Sequence, residues 1–590
     1  MKATHYPAGK GAAVVYLAQI ATQSTEDDEY PIQCQTQVVP LSASAKYETL
    51  SYVWGDQKNT TTIRVDGNKV SITKTLEAAL KRLQLRDRSR CLWIDQLCIN
   101  QRDDKEKANQ VPLMGHIYSN TTQCLIWLGE VRSDIMLSDA ESAVGIIRFM
   151  SEYGKSQDSK PRTPQSLLSE RTLHGPMQAL KSISLGSNPW WQRIWTLQEA
   201  VLPSKSCMLW GPLSVPWDTL VTAGLTYPVP PVDDIIEPYR DVVDGMFAQT
   251  TALDMAKNGS HGPLDVIFRW SFRKASNPRD KVYGLLGLFP MGTLHRVEAC
   301  NYGLSPASVY AMATVDLIEH HQSLHAIALR CLRGLPDSTP DIPGWALDMA
   351  VSDCLSMGTV DGDDAIWCAM HNYHPFNACG RTTIDWTRFQ FDHTRNSLTL
   401  TGYKVDTIAL ACPRPQSDTP GNRDISYSEI IRTIKAWYAI ADNFYGSRHG
   451  LQGSKGQDHW SDSFWRALLG GLKLDPEYIP EGRATSVDIK MMEDFVRTSK
   501  KNASCYSLFA TMCHRTMYLT EGGLIGVGPP HLDAGDEVWI LHGGKVPFLL
   551  RPRVNVSAND FFFVGSLYVD GIMDGETTEI GNPVYQVVLQ

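Results

Sequence analysis

The spacing of apolar residues alternates between a two-residue and a helical period along the first third of the chain. Ala13–Ile20 and Ile32–Leu41 are rich in β-branched residues and predict two extended segments around an acidic loop at Thr25–Tyr30. Tyr47–Trp54 predicts a buried strand that stops abruptly on Trp54-Gly55-Asp56. Thr61–Ile72 predicts a hairpin turning at Asp66-Gly67-Asn68, because these residues accept the positive φ that tight hairpins need. Leu76, Ala79, Leu80 and Leu83 recur at helical intervals and predict a short helix over Thr75–Leu83. A strand over Cys91–Asp95, a helix over Lys105–Tyr118 and a strand over Gln123–Gly129 follow. Strand, helix and strand at this spacing call for right-handed crossovers and a parallel sheet.

Further on, the pattern predicts a helix over Ala140–Tyr153 and a hydrophilic loop over Gly154–Thr172. Asn188–Leu202 reads as one helix, with Asn188 as N-cap, Pro189 at the first position and Pro203 ending it. Lys205–Gly211 predicts another strand. The Pro-rich Tyr227–Pro238 and the Gly-rich Tyr445–His459 mark breaks, and Tyr239–Leu288 and Ser305–Leu332 are helical in period. The tail, Arg515–Gln590, is dense in Gly turns and β-branched or aromatic runs, and predicts a small antiparallel β barrel or meander. The expected division is an N-terminal β extension (1–46), an α/β domain (47–211), a mainly helical region (212–345), a mixed α/β region (346–510) and a β-rich domain (511–590).

Composition narrows the class. A chain of 590 residues exceeds one ordinary core. Its 43% hydrophobic and 20% charged residues are those of a soluble globular protein. A net charge of -9 argues against nucleic acid as the main partner. No apolar run reaches the ~18 residues of a membrane span, and Ala12–Ala21 reads as a first strand rather than a signal sequence. Thirteen cysteines without framework spacing suit reduced thiols and a cytoplasmic location. Cys368, His371, His374 and Cys379 offer zinc's preferred atoms, but one short loop would have to supply every ligand, so no metal is assigned. No HExxH, P-loop or GxGxxG motif is present, which removes support for the protease, ATPase and dinucleotide-oxidoreductase classes.

Two segments stand out as candidate chemistry. Tyr47–Asp56 and Leu92–Gln101 both run from an apolar core into a polar rim, as strands do at the carboxyl edge of a parallel sheet. Asp95 could accept hydrogen bonds from ligand hydroxyls there, or cap the following loop. Gly55 could let a ligand approach the backbone, or simply end the strand. On the Trp-rich helix, Trp191, Ile194, Trp195, Gln198 and Leu202 share a face, with Glu199 at its border one turn from Trp195. Such a carboxylate is either half-desolvated and chemically useful or a solvated glutamate on a helix edge. Ser51 lies mid-strand without the glycines of a nucleophile elbow. Cys98 reads as a buried structural thiol.

These motifs resemble those of the fungal heterokaryon incompatibility (HET) domain. Tyr47–Asp56, Leu92–Gln101, Gln110-Val111, Ile117-Tyr118, Ile126-Trp-Leu-Gly129 and Trp191-x-Arg-x-Trp-Thr-x-Gln-Glu199 occur in that family's order. Asn277–Leu288, Ile342-Pro-Gly-Trp345, Gly535-Asp536, Phe548–Pro552 and Tyr568–Met573 are similar to its C-terminal region. The resemblance implies nonself recognition and programmed cell death, with partners from an incompatibility system or self-association. HET domains in turn look distantly similar to TIR domains, which implies a TIR-like (flavodoxin-like) parallel sheet with flanking helices. By that resemblance Glu199 would be the catalytic residue of an NAD hydrolase. Ser51, Tyr52, Trp54, Gly55, Asp56, Asp95 and Trp195 would bind the NAD, a substrate rather than a retained cofactor. Nicotinamide leaves a cation as a neutral group, so a lone carboxylate suffices. Thr196 stands where that likeness expects Cys. The alternative is a non-catalytic death-signalling module activated by induced proximity.

Overall fold

The computed structural model describes residues 14–21, 32–41, 46–101, 103–155, 163–164, 167, 169–226, 237–259, 262–329, 339–350, 375–414, 426–449, 459–475, 480–512, 515–554, 557–578 and 582–590. The chain forms two compact units, Met1–Val266 with Arg273–Gly303, and Ile267–Phe272 with Leu304–Gln590.

A mixed nine-stranded sheet organises the first unit. Its strands are β1 (Val14–Ile20), β2 (Gln33–Pro40), β3 (Glu48–Tyr52), β4 (Thr60–Val65), β5 (Asn68–Thr73), β6 (Arg90–Trp93), β7 (Cys124–Trp127), β8 (Ser206–Trp210) and β9 (Leu213–Pro216). They lie in the order β5-β4-β2-β1-β6-β3-β7-β8-β9. The stretch β6-β3-β7-β8 is parallel, with Thr49–Tyr52 opposite Cys124–Trp127 and the latter opposite Ser206–Leu209. Every residue of β7 is buried, as in a strand covered on both faces. The expected parallel sheet therefore holds at the centre and fails at its flanks. Only two residues, Gly211 at φ 53 and Pro212, join β8 to β9, and so short a turn must reverse the chain. β1 also runs antiparallel to both β2 and β6. The β4–β5 hairpin turns through Asp66 and Gly67 at φ 50 and 76, as expected.

Helices flank the sheet. Helix α1 (Lys74–Leu83) buries Leu76, Ala79, Leu80 and Leu83. Asp95, expected at a strand end, instead opens the short helix α2 (Asp95–Cys98). The helix expected over Lys105–Tyr118 divides into α3 (Asp104–Gln110), a 3-10 turn at Val111–Leu113, and α4 (Met114–Ser119). Pro112, which lacks an N–H, sits in that tightened turn. Helices α5 (Leu137–Lys155), α6 (Glu170–Ile183), α7 (Thr196–Val201), α8 (Trp217–Thr226) and α9 (Arg240–Lys257) complete the set used below.

The second unit holds a closed ring of strands. Its members are β11 (Ser397–Ala411), β16 (Glu537–Leu541), β17 (Phe548–Pro552), β18 (Asp560–Ser566) and β20 (Tyr585–Leu589); the unit's other strands are β10 (Gln390–Asp392), β12 (Leu472–Leu474), β13 (Pro480–Arg483), β14 (Thr516–Thr520), β15 (Ile525–Gly528) and β19 (Tyr568–Val569). β11 pairs with β20 over Leu398–Gly402 and with β16 over Gly402–Thr407, which closes the ring. Gly402 belongs to both pairings, and a Cβ there would lie 2.4 Å from the Ile540 carbonyl oxygen. All ring pairs are antiparallel except β18–β20. The tail is thus the expected β structure, completed by one long strand from earlier in the chain. Its core includes Tyr403, Ile408, Tyr518, Val538, Ile540 and Leu549. Cys379 is buried in the same core, whereas Cys368, His371 and His374 lie outside the described residues. Among the described residues, no helix is long and apolar enough to cross a membrane.

Candidate functional site

The Trp-rich segment is not one helix. Asn188 caps it as expected, its side chain accepting from the Trp190 amide at 3.0 Å, and Pro189 opens a 3-10 turn over Pro189–Gln192. Arg193 is then extended, at φ -83 and ψ 136, and α7 starts only at Thr196. The interruption comes from a segment distant in sequence. The Ile194 amide donates to the Lys274 carbonyl at 3.0 Å, and the Lys274 amide donates to the Gln192 carbonyl. Backbone groups spent on another segment cannot continue a helical ladder. The helical-wheel face is therefore corrected: Trp191 packs in a separate turn, and Glu199 is buried rather than at a border.

Glu199 meets the sheet at Ser51. The Ser51 hydroxyl donates to Glu199 Oε2 at 2.5 Å and accepts the Trp190 indole N–H at 2.7 Å. Glu199 is 3% exposed, and Ser51 and Trp190 are both at 0%. Burial pushes the Glu199 carboxyl up to about 7, with Arg193, the Ser51 bond and Arg273 opposing and Asp95 reinforcing the rise. Arg273, fully buried, donates to Thr196 Oγ1 at 2.6 Å, and burial lowers its guanidinium while Glu199 opposes this. The result is a carboxyl poised near neutrality, reached by two arginines through their field.

A second group lies beside it and is more open. Trp54 donates its indole N–H to Asp95 Oδ2 at 2.7 Å, and Asp95 Oδ1 accepts from the Gln96 amide at 2.7 Å. Both Trp54 and Asp95 are half-buried. Desolvation raises the Asp95 carboxyl, and Arg193 is the largest opposing influence. The Tyr52 hydroxyl donates to Gln96 at 3.0 Å, while its main-chain oxygen accepts from Arg193. Arg193 thus acts through its charge on both carboxyls.

Not every expected residue joins these groups. Gly55 and Asp56 are exposed; Gly55 takes φ 73, and Asp56 accepts the Lys58 amide at 2.9 Å as a turn former. The Trp195 indole donates instead to Asp280 at 3.2 Å, and Tyr302 holds the other Asp280 oxygen at 2.8 Å. Cys98 is buried, its thiol pushed up to about 12. Sequence reasoning took Trp190 for a core residue or a stacking platform, and assigned no role to Arg193, Arg273 or Asp280. Arg193 carried one signal: a charged residue inside an otherwise Trp-lined run.

Chemically, the inner group can hold a proton near pH 7 and share it with a serine hydroxyl. At 3% exposure the Glu199 side chain presents almost no surface to a nucleotide-sized ligand. The outer group, Asp95 with Trp54 and Arg193, is only half-buried.

Residues 47–199 match the family described as Heterokaryon incompatibility protein (HET), and residues 484–583 match the Het-6 beta-barrel domain. The chain is similar to "Heterokaryon incompatibility protein 6, OR allele" of Neurospora crassa, at 24% identity over 661 residues and 96% of each chain. No solved structure matches it.

Proposed function

We propose that this chain, which carries a HET domain at residues 47–199 and a Het-6 barrel domain at residues 484–583, acts in fungal nonself recognition and triggers programmed cell death. The observation that supports this reading is end-to-end likeness. Both domains match, and the Neurospora relative aligns over 96% of its own length and of this chain. The confrontation assay is direct. Strains carrying different versions of the chain should arrest or die where they fuse, and deleting it from one strain should abolish that reaction. Unchanged arrest after deletion would overturn the reading.

Two routes lead from this domain to death. The geometry favours a non-catalytic signalling module acting through protein partners or self-association in the cytoplasm. Its support is the closure of Glu199: a 3% exposed carboxyl, bonded to a serine at 0% exposure, acts as a strut between α7 and β3. The second route, TIR-like cleavage of the nicotinamide–ribose bond of NAD, draws on the Trp195-x-x-x-Glu199 spacing and on a carboxyl near neutrality. That route requires α7 to move before substrate reaches Glu199. It then needs the ionised form to stabilise an oxocarbenium-like ribosyl centre.

A further inference from the structure

The stretch Gln192–Glu199 is gripped by a segment that lies beyond the HET match. The chain returns to the first unit at Arg273. From there it touches the motif repeatedly. Lys274 pairs its backbone with Gln192 and Ile194, as an isolated parallel bridge. Arg273 donates to Thr196 Oγ1 at 2.6 Å and to the Arg193 carbonyl at 3.3 Å. Asp280 accepts the Trp195 indole, and Gln198 donates to the Tyr283 and Gly284 carbonyls at 3.3 and 3.0 Å.

Packing makes the grip close. A Cβ on Gly287 would lie 2.2 Å from Gln198 Oε1 and 2.8 Å from the Gly115 Cα, so the segment and α4 meet backbone to backbone there. Gly284 leaves similar room for Ile194, 3.1 Å from where its Cβ would be. Asp280 is itself fixed by the Tyr302 hydroxyl at 2.8 Å, and Lys107 lies 5.1 Å from the Tyr302 ring centre.

We infer that Arg273–Leu288 is a clasp that positions α7 and its glutamate, so that the killing competence of the HET domain is set by a segment outside it. This rests on the reading that the domain triggers death. Arg273, Asp280 and Gln198 are positioning residues: they act on Glu199 through α7. The clasp is made of single hydrogen bonds at several points, which lets α7 loosen locally while the sheet stays intact.

The test uses the full chain. Trp195→Phe keeps the ring and removes the bond to Asp280, and Asp280→Ala removes both of its acceptors. Hydrogen exchange of amides 196–201 should quicken, up to roughly tenfold per lost bond. Amides of β3, β7 and the β16–β18 strands should keep their rates. Killing in a fungal host should fall several-fold in step, and Asp280→Asn, which can still accept from Trp195, should restore most of it. Unchanged exchange in α7, exchange raised across the whole first unit, or loosened α7 with undiminished killing would each overturn the clasp. If Asp280→Ala fails to fold, the Trp195→Phe and Asp280→Asn pair still decides. A wild-type chain that does not kill would instead count against the proposed function, leaving the exchange result to judge the clasp alone.

Discussion

Two buried carboxylates, one from each unit, are treated oppositely. Asp536 in the barrel is 2% exposed, and Arg551 grips both of its oxygens, at 2.6 and 2.9 Å. Glu199 is 3% exposed but receives a neutral serine hydroxyl, with its nearest arginines committed to carbonyls and a threonine. An ion-paired carboxylate stays charged and fastens structure. One held by a neutral donor can gain or lose a proton near neutrality. Burial alone therefore does not decide how a carboxyl behaves; the identity of its partner does too.

Breaking the barrel pair gives the largest expected effect. Asp536→Ala should cost about 3 kcal/mol of stability, since it removes both Arg551 bonds and the acceptor of the Asp533 amide, although Arg551 keeps Asp533 at 2.8 Å; denaturant unfolding measures this. A loss below about 1 kcal/mol would place the pair with weak surface bridges and erase the contrast.

The pH response of Glu199 is of the same size. Its folded value, about 7, lies above the ordinary 4.5. Below 4.5 the carboxyl is protonated in both states; between 4.5 and about 7 the unfolded chain releases its proton first, so stability falls as pH rises. The loss totals on the order of 3 kcal/mol, and Glu199→Gln should remove it. Unfolding at pH 5 and pH 8 checks this: equal slopes in the two proteins would mean that Glu199 is charged throughout that range.

Smaller changes probe the loops that frame the glutamate. Gly55→Ala should destabilise by about 1–2 kcal/mol, because φ is 73 and the new Cβ would lie 2.5 Å from Thr75 Oγ1. Asn188→Ala should cost about 1 kcal/mol through loss of the cap on the Trp190 turn. Both are measured by thermal or denaturant unfolding. The first should leave killing intact if Gly55 only ends the strand.

Much of this frame was legible in the chain. The runs at Tyr47–Trp54, Cys91–Asp95, Gln123–Gly129 and Lys205–Gly211 became β3, β6, β7 and β8, of which β7 is buried along its whole length as a strand covered on both faces must be. Helix α1 and the Asp66-Gly67 turn followed equally local rules. What was hidden is what depends on distant partners. The break at Arg193 comes from backbone bonds to Lys274, and the Thr196 contact comes from Arg273, 77 residues away. Ser51 reaches Glu199 across 148 residues. No periodicity encodes such pairings. Likewise β11 lay inside what the sequence showed only as a mixed α/β region, and its place comes from pairing with β16 and β20.

The most direct test expresses the full chain in a fungal host, as wild type and as Glu199→Gln at equal level, while following cellular NAD and survival together. The account expects both proteins to kill, with NAD falling no earlier than viability. NAD collapse that precedes death in the wild type, and vanishes along with killing in Glu199→Gln, would contradict it and make Glu199 a catalytic residue.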